Sequence, residues 1–210
     1  MPEKKAGVSI WNNISEGVRF VFNNQIILSA LSLDLFAVLF GGAVALLPVF
    51  AKDILHVGAF EFGLLKAATP IGAILSAIVI AFFPLQKRIG TKMLWSVAAF
   101  AICMIGFGFS YSIWISFGLL LLSGIFDGIS VVIRGTMVQT LTPDYMKGRV
   151  SAVNNIFIGS SNEIGAFESG LAAKFLGPVI SVVAGGFVSL GVVGITALKA
   201  DQLRNYEKHN

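Results

Sequence analysis

Six long apolar runs, each close to the length of a bilayer crossing, leave this chain few ways to fold. They fall at about 27–50, 61–83, 92–110, 113–133, 149–173 and 178–198. A helix needs about 20 apolar residues to cross a hydrocarbon core of about 30 Å. Runs such as Ile71–Phe83 do not alternate as the strands of a membrane barrel would. In lipid only helices and closed barrels satisfy every backbone donor and acceptor. The sequence therefore predicts an all-α membrane protein with six transmembrane helices. Of its 210 residues only 12% are charged, against about 25% in a soluble domain, too few to cover a water-facing surface.

Ahead of the first run, Ile10, Trp11, Ile14, Val18, Val21 and Phe22 recur at three and four residues, with polar residues between them. This predicts an amphipathic helix over 10–25 that lies on the bilayer surface or packs on the membrane domain. The chain divides into a polar N-terminus and amphipathic helix (1–26), a six-span membrane unit (27–198) and a polar tail (199–210).

Loop cations set the expected orientation. Lys4, Lys5, Arg19, Lys87, Arg88, Lys92, Arg134, Lys147, Arg149, Lys199, Arg204 and Lys208 collect on one side, while Lys52, Lys66 and Lys174 sit on the other. Both termini, the 84–93 turn and the 134–148 loop are expected in the cytoplasm, with the chain multi-pass in the cell (inner) membrane. The net charge of +4 belongs to this topology, so no nucleic-acid partner is expected. Cys103, alone in an apolar run, reads as a small core residue. No nucleophile–base set, metal-ligand cluster or cofactor fingerprint stands out, so neither an enzyme nor a cofactor is expected.

The polar residues at membrane depth are the candidate sites, because a carboxylate in hydrocarbon costs roughly 2.5–3.5 kcal/mol on insertion scales. Asp34 and Asp127 each fall about 10 Å from the cytoplasmic end of their runs. Arg134, seven residues after Asp127, is the expected partner for it. In the fifth run Ser151, Asn155, Asn162 and Ser169 form a polar stripe, with Glu163 beside it and Glu168 nearer the outer end. Gly124 and Gly128 form a Gly-x-x-x-Gly pair suited to close helix packing, and Pro70 predicts a kink in the second run.

Two motifs carry a family resemblance. Arg88-Ile89-Gly90-Thr91-Lys92, between the second and third runs, resembles the basic-x-Gly-x-basic turn of the major facilitator superfamily. Met137-Val138-Gln139-Thr140, Pro143 and Lys147-Gly148-Arg149-Val150 resemble the corresponding loop of its exporters in the enterobactin and macrolide efflux branch. Asn162-Glu163-Ile164-Gly165 and Glu168-Ser169-Gly170 are similar to the same group. The resemblance implies two inverted three-helix repeats, with the first and fourth spans equivalent and lining a cavity. It implies that the chain is the carboxy-terminal half of a proton-coupled exporter of a small molecule. Its partners would be the bilayer, the substrate, and a missing amino-terminal half or a second half-size chain. Asp34, Asp127, Glu163, Glu168, Asn155 and Asn162 would handle protons or substrate. Lys87, Arg88, Gly90, Lys92, Arg134 and Arg149 would form a cytoplasmic gate. The alternatives are a non-transporting membrane component or an uptake permease.

Overall fold

A computed structural model describes residues 10–41, 43–83, 88–204 and 206, which are almost wholly helical. Helix α1 spans Ile10–Asn23 and α2 spans Gln25–Gly41. A 3-10 turn (Ala43–Leu46), the short α3 (Leu47–Val49) and a π turn (Phe50–Ile54) carry the first span onward. Then come α4 (Ala59–Phe82), α5 (Ile89–Gly108), α6 (Ile113–Leu141), α7 (Lys147–Leu176), α8 (Pro178–Lys199) and α9 (Asp201–Arg204). The predicted gate residue Lys87 lies outside the described residues.

Local chemistry places the helix ends. The Asn24 side chain accepts from the backbone amides of Ile26 and Ile27 at 3.2 and 3.1 Å and so caps α2. Gly177, at φ 87°, breaks the chain between α7 and α8, and Pro178 opens α8 where its missing N–H costs nothing. Pro70 sits inside a continuous α4.

Among the described residues, five stretches are long and apolar enough to cross a membrane: Gln25–Ile54, Ala59–Phe82, Ile89–Gly108, Ile113–Leu141 and Pro178–Lys199. Helix α7 does not join them. Its 30 residues, about 45 Å, give it the length, but its polar stripe takes it below that apolar content. The all-α membrane fold expected from the sequence is thus present, with the fifth run the most polar of its long helices.

The packing is a two-fold exchange. Helix α4 lies along α6 as α7 lies along α2; α5 packs on α6 as α8 packs on α2; α5 and α8 meet each other. These contacts map onto one another when the first three spans exchange with the last three, the pattern that paired three-helix repeats produce; α7 meets α8 in addition, a contact that α4 and α5 do not match. Glycines allow the closest approaches. Cβ atoms at Gly72 and Gly124 would fall on backbone of α6 and α4 respectively, and one at Gly185 on the Phe40 carbonyl.

Helix α1 packs on protein. Gly17 lies against the backbone of Arg149, and Glu16 pairs with Arg149. Val21 joins Ile27, Leu31, Val138, Met146, Val150 and Val153 in one apolar cluster. The bases of α2, α6 and α7 thus receive the helix that precedes the membrane unit. At the start of α7, Lys147 lies 2.7 Å from Asp144 and holds that exposed carboxyl below its usual range, by hydrogen bond and then by charge.

Candidate functional site

A cleft of about 500 Å³ opens between α2, α4, α5, α6 and α7. The Gly124–Gly128 pair draws α6 against Thr69, Ala73 and Ser76 of α4, and Asp127 is set on the flank of that contact, at the cleft wall. Lys66 and Thr69 come from α4, Phe100 and Met104 from α5, and Asn162 and Ala166 from α7. Val38 and Gly41 of α2, with Val44 and Ala45 of the 3-10 turn, form the remaining wall. Span one therefore leaves regular α-helical form beside the cleft.

The Ser123 hydroxyl donates to the Leu120 carbonyl at 2.7 Å, and the Thr69 hydroxyl reaches the same carbonyl at 3.5 Å. Both are occupied within the fold. The groups left to face a ligand are the Lys66 ammonium, the Asp127 carboxylate and the Asn162 amide. Lys66 and Asp127 form no ion pair, and among the described residues neither has another. Because Thr69 lies level with Gly124, Lys66 stands about 9 Å along the helix axis from Asp127. The cleft can thus engage a cation or hydrogen-bond donor at one level and an anion at another, over an apolar wall.

Asp34 is elsewhere. It is 5% exposed and pairs with Arg134, itself 4% exposed. The expected Asp127–Arg134 pairing is corrected: the two stand about 10 Å apart along α6, and Arg134 is taken by Asp34 of α2. Helix α6 continues to Leu141 instead of ending near 133, so Asp127 lies about 21 Å from its basic end and Arg134 about 11 Å. Asp34, about 14 Å into α2, matches the depth of Arg134, and the expected match between Asp34 and Asp127 does not hold. The pair closes α2 onto α6 in an apolar cluster that includes Leu33, Ala37, Ile133 and Met137.

The other candidates separate. Asn155 and Glu163 are exposed on α7 and do not line the cleft; Glu168 is half-buried. Arg88 and Lys92 are exposed at the start of α5, with Arg88 in the left-handed region at φ 49°. Gly90 is buried under α9. Arg149 holds α1, and Arg134 holds Asp34. The five gate residues that are described thus do not form one cluster. Sequence reasoning missed Lys66, counted only as a topology cation. The available signal was its helical face: Lys66, Thr69, Ala73 and Ala77 share one side of α4, apart from the large apolar Ile71, Leu75, Ile78 and Val79.

Comparison with known proteins gives these residues a setting. The pattern of the transmembrane secretion effector family, a group within the major facilitator superfamily, matches residues 3–210. The enterobactin exporter EntS of Shigella boydii serotype 18 is 30% identical over 156 residues, which cover 74% of this chain and 37% of that protein. The same exporter from Shigella dysenteriae serotype 1 is 28% identical over 166 residues, 79% of this chain and 40% of its own length. That of Citrobacter koseri is 30% identical over 156 residues, 73% and 37%. The matched region therefore spans about two fifths of these relatives.

Proposed function

We propose that this chain, which belongs to the transmembrane secretion effector family of the major facilitator superfamily, works as one six-helix half of a secondary exporter for a small molecule. The observation that carries the reading is the cleft: Asp127, Lys66 and Asn162 face one space at membrane depth, walled by five of the six long helices. Charged groups at that depth are costly unless they meet water, protein or a ligand. Helix α7 supports the half-transporter reading. Asn155, Asn162 and Glu163 are exposed on it, and a lipid-facing surface would not stably carry them. A second six-helix half, supplied by an amino-terminal portion or a second chain, would cover that face and complete an alternating-access cavity. In that assembly the basic end faces the cytoplasm of the inner membrane. Asp127 is the leading proton or substrate group, with Glu163 and Glu168 reaching the pathway only once the other half is in place. Neutralising a carboxyl by protonation makes its passage through a dry bundle far cheaper, which is how a proton gradient would drive the cycle.

The test is co-expression with the first six-helix half of an enterobactin exporter. Efflux of enterobactin and of a panel of amphiphilic dyes is followed in cells lacking their own exporters. Efflux of at least one compound is expected only when both halves are present, and it should stop when the proton gradient is collapsed. Silence from every compound would defeat the transporter reading. Efflux that survives collapse of the gradient would defeat proton coupling alone.

A further inference from the structure

The segment after the last span is bound to the turn that carries the family motif. Leu203, at 0% exposure, joins the apolar cluster that includes Ala30 and Leu33 of α2, Ile89 and Met93 of α5, and Ile133 and Met137 of α6. Its carbonyl lies where a Cβ on Gly90 would have to stand, so only glycine lets the segment come this close. The Thr91 hydroxyl donates to the Arg204 carbonyl at 2.9 Å. Ala200 is 5% exposed, Tyr206 packs on the same cluster, and the Tyr206 amide donates to the Leu203 carbonyl at 3.1 Å. The Arg204 side chain folds back on Asp201 at 2.8 Å and on the Ala197 carbonyl at 3.4 Å.

The cluster that Leu203 enters is the one surrounding the Asp34–Arg134 pair, since Leu33, Ile133 and Ala37 belong to it. A buried ion pair holds its geometry only while water is kept out, because hydration weakens the attraction and loosens the helices it joins. We propose that Ala200–Arg204 is a strap, seated on Gly90 and Thr91, whose Leu203 plugs the basic end of the bundle and keeps water from the Asp34–Arg134 pair. The motif turn then serves as the seat of this strap, and displacing the strap opens the basic end without dismantling the outer half of the bundle.

Cysteine labelling tests this in the full 210-residue chain, reconstituted in lipid nanodiscs and exposed to a polar maleimide. One reporter is Ala30→Cys in a Cys103→Ser background; Ala30 is 0% exposed and belongs to the cluster that the plug enters. The second is native Cys103, 6% exposed, twelve residues nearer the outer end of α5 than Thr91. Two separate changes displace the strap: Leu203→Ser removes the plug, and Gly90→Val pushes it off its seat. Each should speed labelling at position 30 by about tenfold or more, as expected for local opening, and leave Cys103 labelling near its original rate. Unchanged labelling at position 30 would overturn the proposal. So would an equal rise at both cysteines, which would make the segment a general prop of the fold and not a seal.

Discussion

Replacing Arg134 with leucine is expected to destabilise the chain by about 3–5 kcal/mol, and Asp34→Leu by a similar amount. The cause is the charge left behind. Asp34 and Arg134 are 5% and 4% exposed, so neither can turn to water when its partner is removed. Either orphaned charge sits in the apolar cluster of Leu33, Ala37, Ile133 and Met137. The double replacement Asp34→Leu with Arg134→Met removes both charges and should recover most of the loss, since an apolar pair of similar volume is often no less stable than a buried ion pair. Denaturant unfolding in detergent micelles, followed by tryptophan fluorescence, reads all three variants. Singles that are nearly neutral, or a double no better than the worse single, would show that the pair does not tie α2 to α6.

The glycines give the second large effect, and it discriminates between positions of one residue type. A Cβ on Gly124 would fall on the Thr69 carbonyl of α4, and one on Gly72 would meet the backbone of Leu121 and Ile125. Backbone cannot step aside as a side chain can. Gly124→Val or Gly72→Val must force α4 from α6, at a cost of about 1–3 kcal/mol or more. Gly118 and Gly135 lie on the same α6 with open space around them. Alanine there should be neutral or stabilising by up to about 1 kcal/mol, because glycine is the poorer helix former. Unfolding midpoints of the four variants check the ordering. Equal losses at all four positions would remove the close α4–α6 contact from the account. Helix α6 carries Asp127 beside that contact, so the same spacing also holds the cleft wall in place.

These two sites show what could be read from residues alone. Helix positions were legible because hydrocarbon leaves the backbone one solution, and apolar runs mark where it is imposed. Helix ends were less so. The last two turns, Arg134–Leu141, continue α6 beyond the apolar run, and hydropathy marks the lipid, not the helix. That extension displaced the depth of Asp127 and hid the true partner of Arg134, which comes from α2, a hundred residues earlier. Gly124 and Gly128 were legible as a packing pair because small residues at that spacing have few other uses in a membrane helix. Gly90 was legible only as part of a turn; its contact with Leu203 is tertiary and leaves no local trace. Lys66 was visible but misassigned. Counting loop cations treats every lysine near a span mouth as topology, whereas its helix face pointed to the cleft.

In the proposed exporter the cleft around Asp127 is the transport site. The most direct measurement is proton-driven efflux in vesicles carrying this chain with a first half. The wild-type sequence is compared with Asp127→Asn, which keeps the size of the side chain and removes its charge. The account predicts that efflux falls at least about tenfold in the substituted protein while assembly of the two halves is unchanged. Efflux at the wild-type rate from the Asp127→Asn protein would contradict it.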